Sequence, residues 1–176
     1  MFAKNGRRLG FSLVELVIVI VVIGIIAAIA IPRVSRGAKG AGDSVLRSNL
    51  AVMRSAIELY ASEHVGVFPG ANAAGGSFGA AASADAFKNQ LLKYTDSNGG
   101  VSETKDTTHI YGPYLRKQVP PLPVGANRGS SDVTVTDTAP AAGGTTGWVF
   151  SWKTGEIIAN CPDTEKDELN TSYNQY

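Results

Sequence analysis

The sequence predicts an α+β protein in which a long N-terminal helix spans a membrane with its first half and packs on a small antiparallel β-sheet with its second. Three observations predict it. Residues 11–31 are apolar almost without interruption; Leu46, Leu50, Met53, Ile57 and Tyr60 recur at alternating spacings of four and three; and Trp148, Phe150 and Trp152 alternate with Val149, Ser151 and Lys153 ahead of a turn at Gly155 and the run Ile157, Ile158, Ala159.

The first element is set by length. The 21 residues from 11 to 31 give roughly 30 Å of helix at about 1.5 Å each, which matches the hydrocarbon core of a bilayer. Lys4, Arg7 and Arg8 precede this run and Gly10 ends the basic stretch. In a secretory signal the small-residue cleavage site follows the apolar segment; here Pro32, Arg33 and Val34 follow it, so cleavage is expected before the run. Orientation stays open on charge alone, because Arg33, Arg36 and Lys39 balance the basic start.

Glu15 breaks the apolar run, and an unpaired carboxylate in lipid costs a few kcal/mol. Two readings remain. Either Glu15 lies near enough to the headgroups to stay hydrated, or a cation pairs with it, the amine freed on Phe11 by cleavage after Gly10 being the nearest, from the same chain or a neighbour.

Gly10-Phe11-Ser12-Leu13-Val14-Glu15, after a basic leader and before an apolar helix containing Pro32, resembles the signal of type IV prepilins and type II secretion pseudopilins. The resemblance covers about the first 35 residues and implies a pilin-like fold. It also implies that a membrane aspartyl peptidase, the prepilin peptidase, cuts between Gly10 and Phe11 and methylates Phe11, and that Glu15, with Phe11, guides assembly. The leader would be cytoplasmic, the helix in the bacterial inner membrane and the globular domain periplasmic. Implied partners are identical subunits in a filament, the prepilin peptidase, an inner-membrane assembly platform, minor pseudopilins, a secretin and membrane lipid. The resulting division is a leader at 1–10, a transmembrane half-helix at 11–31, an amphipathic half-helix at 32–66 and a soluble pilin-like domain at 67–176.

Pro32 lacks an amide hydrogen, so the helix is expected to kink there; Gly37, Gly40 and Gly42 weaken it further, with helical order resuming at Asp43. This stretch reads either as an interfacial break or as a segment that loses helicity in a filament. The stripe from Leu46 to Tyr60 needs a partner, the sheet of the same chain or a heptad partner on another protein, and Gly66 and Pro69 end the helix.

Residues 70–82 collapse to Gly, Ala, Ser and Asn around Phe78, the composition of a flexible loop. Ser83 is a candidate N-cap for a short helix that places Phe87, Leu91 and Tyr94 on one face. Val133 to Thr136 offers an edge strand. The aromatic face of Trp148, Phe150 and Trp152 reads as core rather than as a carbohydrate or nucleobase platform. Tyr111-Gly112-Pro113-Tyr114-Leu115 with Pro120, Pro121 and Pro123 resembles a segment of major pseudopilins. The Trp-Gly-containing motif and calcium loop of those proteins have no counterpart here, so calcium does not carry over.

Several function classes fall away. Without the first ten residues the 16 basic groups drop to 13 against 15 acidic ones, and no global field points to nucleic acid; Arg33, Arg36, Lys39, Arg47 and Arg54 suit lipid headgroups better. Cys161 is the sole cysteine, which excludes an intrachain disulfide, and with His64 and His109 it forms no zinc pattern. Asp96-Ser97-Asn98-Gly99 opens like an EF-hand loop, but Gly100 and Thr107 stand where ligands belong, so a turn is expected and no metal. Asp163, Glu165, Asp167 and Glu168 read as a solvated tail. No catalytic motif or cofactor site is present in the sequence, and a non-enzymatic subunit is expected. The leading reading is a pseudopilus subunit that drives protein export through the outer membrane. The alternatives are a type IV pilus subunit for adhesion, motility or DNA uptake, and a membrane-tethered binding module.

Overall fold

A computed structural model describes residues 11–176, without the side chains of 31–36 and 38; the leader at 1–10, Gly10 included, lies outside the described residues. The chain divides into two compact units, Met1–Ala38 and Lys39–Tyr176. Helix α1 runs over Leu13–Glu63 and contributes to both.

Within the first unit, Leu13–Ala30 has a mean hydropathy of 3.2 and is unburied throughout. Leu16, Ile20, Ile23 and Ile26 are all exposed, so this helix is apolar on every side and has no intrachain surface against which to bury itself. A helix of that kind is stable in lipid or among other apolar helices.

The helical assignment continues through Pro32 and through Gly37, Gly40 and Gly42, so helical order does not restart at Asp43 as the sequence suggests. One missing donor is a local loss that the following turns absorb, and one of the glycines, Gly42, serves close approach. A Cβ on Gly42 would stand 3.2 Å from Val124 Cγ1, whereas one on Gly40 would make only ordinary contact, 3.7 Å from Glu168 Oε2.

In the second unit the stripe Leu46, Leu50, Met53, Ile57 and Tyr60 is at most 1% exposed. It packs in one cluster with Phe87 and Leu91 of α2 (Ala84–Leu92) and with Trp148 and Phe150 of β4 (Trp148–Ser151). The partner of the stripe is therefore the chain's own sheet. Helix α1 ends in a Schellman arrangement, with the Gly66 amide bonded to the Ala61 carbonyl at 2.8 Å. The left-handed position falls on Val65 (φ 57°), a β-branched residue under strain there.

Ser83 caps α2 as expected, accepting from the Ala86 amide at 3.1 Å, but the helix stops at Leu92 and Tyr94 starts a strand. That strand, β1 (Tyr94–Thr95), pairs antiparallel with β2 (Val101–Ser102). The main sheet has the order β3-β4-β5, with β3 at Val133–Thr136 and β5 at Ile157–Ala159. β4 and β5 form the expected hairpin, whereas β3 joins β4 in parallel. The helix-free connection from 137 to 147 that this requires is stapled by Asn160, 2% exposed. Its Nδ2 donates to the carbonyls of Gly143 and Thr146 at 2.8 Å each, and its Oδ1 accepts from the Gly143 amide at 2.6 Å.

Residues 70–82 contain no helix or strand, yet they are tied down rather than loose. Fully buried Gln90 accepts from the Gly70 amide at 2.6 Å and donates to the Asn72 and Gly99 carbonyls, and Phe78 packs on a small cluster of Ala74, Ala86 and Val101.

The acidic C-terminal stretch is not a solvated tail. It forms a strap on α1: Asp167 is 5% exposed and accepts from Arg47 and from the Tyr176 hydroxyl, and Arg47 also stacks over the Tyr176 ring at 4.7 Å. The Tyr176 hydroxyl, the amides of Thr171 and Leu169 and the Arg47 charge hold the Asp167 carboxyl below its ordinary range against the effect of burial. Tyr173 donates to the buried Asp43 carboxylate at 2.8 Å. Tyr173→Phe keeps the ring but strips that carboxylate of its donor, so thermal unfolding of the detergent-solubilised chain should show a loss of about 1.5–3 kcal/mol. A change under about 0.5 kcal/mol would mean that Asp43 is satisfied without Tyr173.

Candidate functional site

Of the residues that the sequence singles out for processing and assembly, Phe11 and Glu15 sit where α1 begins, and Gly10 lies outside the described residues. Phe11 is 88% exposed and Ser12 takes the N-cap position, with the Leu16 amide bonded to its carbonyl at 3.2 Å. The Ser12 hydroxyl accepts from the Val14 amide at 3.3 Å, and Glu15 Oε2 reaches back to accept from the Ser12 amide at 2.8 Å. This is a capping box, the serine and the glutamate three residues later each satisfying a backbone donor that the helix start leaves unpaired.

The arrangement gives Glu15 a role that neither sequence reading had assigned. Its carboxylate is positioned within the first turn, near the positive end of the helix dipole, and one oxygen is hydrogen-bonded inside the chain. That leaves Oε1 available to a second donor. Ser12 is the residue that sequence reasoning passed over, although the pattern Ser-x-x-Glu ahead of an apolar run was visible. Pro32 lies inside α1, its side chain outside the description.

The other candidates have structural surroundings. The Asp96 side chain accepts from the amides of Asn98 and Gly100 at 2.8 Å each, closing a turn in which Gly99 has φ 86°. His64 is 2% exposed, stacks on Tyr60 with ring centroids 3.8 Å apart, and places Nδ1 2.8 Å from the Tyr60 carbonyl. His109 pairs with Asp106 at 2.9 Å; the amides of His109 and Thr108, and then the ring, bring the Asp106 carboxyl down to about 2. Among the described residues no group of three or more His, Cys, Asp or Glu is placed to hold a metal ion. The Gly112 to Leu115 segment lies across the ends of two helices, Tyr114 donating to Glu63 Oε2 at 2.6 Å and the Tyr114 and Leu115 amides bonding to the Leu91 carbonyl.

A family model described as the prokaryotic N-terminal methylation motif matches residues 5–31. The N-terminus is a type IV pilin-like prepilin motif. It implies processing by a prepilin peptidase and assembly into a filament, and with the apolar helix it points to anchoring in the inner membrane. No curated protein and no solved structure matches the chain. The motif takes in the capping box and the apolar helix and stops short of the second unit.

Cys161 belongs to the core cluster, fully buried, and burial together with the nearby Glu165 carboxylate pushes its thiol up to about 12. Only the thiolate reacts with alkylating agents. In the folded chain Cys161 should therefore resist iodoacetamide at pH 8 and react promptly once guanidinium is added, as followed by mass spectrometry. Equal labelling before and after unfolding would contradict the buried placement.

Proposed function

We propose that the chain is a structural subunit of a type II secretion pseudopilus, polymerising through its N-terminal helix to move folded proteins across the outer membrane. The observation that carries the filament reading is the start of α1: a prepilin motif, a helix apolar on all sides, and a carboxylate in its first turn with one oxygen still open. A helix of this composition is stabilised by lipid before assembly and by copies of itself afterwards. The leaning towards a pseudopilus rests on the Gly112 to Leu115 segment and on Cys161, which as sole cysteine provides none of the C-terminal disulfide common in adhesive pilins.

In this reading cleavage separates Gly10 from Phe11, Phe11 is methylated on its new amine, the leader is cytoplasmic and the second unit is periplasmic. The subunit is non-enzymatic, and neither calcium nor another cofactor enters the mechanism. The system assignment is tested by deleting the gene. Loss of folded substrates from the medium supports a pseudopilus, and intact secretion with lost motility or DNA uptake supports a type IV pilus.

Intact-mass measurement of the membrane form should give a chain beginning at Phe11 and carrying one added methyl group. A chain still beginning at Met1, or one cut beyond Ile31, would remove the basis for the reading.

Glu15→Ala should insert and be processed normally, since loss of a carboxylate makes the segment more apolar. What it loses is the acceptor for a neighbour's N-terminal amine, so sheared filament material should fall several-fold while the membrane-inserted pool holds or rises. Wild-type filament yield from the variant would leave Glu15 only its capping role.

A further inference from the structure

Two features of the second unit are left without a partner. Val45, Val52 and Leu59 recur every seven residues on α1 and are 48%, 50% and 52% exposed. At 3.6 residues per turn they lie roughly 120° around the helix from the core stripe and roughly 150° from the positions that hold the strap, Gly40, Asp43, Arg47 and Arg54. A groove of about 380 Å³ runs along Val52 and Leu59, floored by these two with Ala51 and Ser55 and walled by Tyr114. Val52 also lines a second groove of about 700 Å³ formed with Leu115, Arg116, Lys117 and Pro120. Arg116 and Lys117 are exposed, and neither has an ion-pair partner among the described residues.

The second feature is a knob. Leu169 is 80% exposed at the tip of a turn in the strap, beside exposed Glu168. The turn is rigid: Asp167 Oδ1 accepts from the amides of Leu169 and Thr171 at 2.8 and 2.7 Å, and the Asp167 amide bonds to the Thr171 carbonyl at 2.9 Å. An apolar side chain on a preorganised turn, flanked by a carboxylate, loses little entropy on docking. Its counterpart in shape and charge is the pair of apolar grooves that share Val52, the second of them rimmed by Arg116 and Lys117.

We propose that the Glu168–Leu169 turn of one copy docks into the groove of the next, Leu169 against Val52 and Leu59, with Glu168 facing Arg116 and Lys117. The inference rests on the filament reading and names the periplasmic contact within it. Knob and groove are different patches, so the contact is heterologous: each copy that fills a neighbour's groove leaves its own groove for another. Glu168 stands at the level of Gly40, and Val52 to Leu59 lie 12 to 19 residues further on, so the copies would be offset along the axis by roughly 18–28 Å. Repetition of such a step generates an open helical array and not a closed dimer.

The test uses the full-length chain in cells that carry the assembly machinery. Glu168→Lys alone, and Arg116→Glu with Lys117→Glu, should each lower sheared filament yield several-fold at an unchanged membrane pool, and the combined reversal should restore it. Leu169→Cys together with Val52→Cys should give a ladder of disulfide-linked multimers on oxidation, and neither single variant should. Wild-type yield in both charge variants, or a loss that the combined reversal fails to rescue with no ladder from the cysteine pair, would overturn this contact and leave the filament reading intact. A wild-type chain that never assembles would overturn both.

Discussion

The second unit depends on a single constraint: one face of α1, from Leu46 to Tyr60, must be removed from water, and it packs in one cluster with the apolar surface of the β4–β5 hairpin. Trp148 and Phe150 supply that surface, and α2 closes the side with Phe87, whose ring centroid lies 4.5 Å from that of Phe150. Large apolar side chains on both partners contribute the favourable area, and everything else in the unit is arranged around it. The strap then adds what apolar burial cannot, a fixed register. Asp43 with Tyr173 and Arg47 with Asp167 and Tyr176 are polar contacts that form in one alignment of strap on helix.

The parts of the fold legible in the sequence were those with a period. The spacing of Leu46 to Tyr60 gave the buried helical face, the alternation through Trp148 and Phe150 gave the hairpin, and Ser83 gave the start of α2. What stayed hidden has no period. The parallel placement of β3 turns on one buried amide, Asn160, and the order in residues 70–82 turns on another, Gln90. A single Asn or Gln among polar residues carries no positional signal, because its value comes from backbone groups far away in sequence that meet it only after folding. The acidic stretch misled for the same reason. Asp167 looks like a solvated charge until Arg47, 120 residues earlier, is brought beside it.

Glycine illustrates how local propensity yields to tertiary context. Three glycines after Pro32 read as a weak helix, and by propensity alone each costs about 1 kcal/mol relative to alanine. At Gly42 that cost is offset by what the missing side chain allows, since Val124 comes within 3.2 Å of where a Cβ would stand. The opposite trade appears at the other end of α1, where Val65 occupies a left-handed position that glycine would fill without strain. Its side chain is 93% exposed and gains nothing from packing, and nothing in the structure explains why valine is there.

The start of α1 shows how a carboxylate in an apolar run is accommodated within its own chain. A helix beginning in an apolar environment has unpaired amide donors at its first turn, and leaving them bare in lipid is costly. Glu15 supplies an acceptor for one of them, the Ser12 amide, and does so with one of its two oxygens. The carboxylate is thereby held at a defined place, so in the proposed filament a cation from a neighbour would meet a preorganised acceptor. The helix dipole adds to this by favouring negative charge at that end. The capping bond is compatible with both the hydrated and the paired readings of Glu15. In the proposed paired reading, a neighbour's amine would bind the oxygen that capping leaves open. Ser12 matters to that reading, because its amide sets the side-chain direction that leaves Oε1 open.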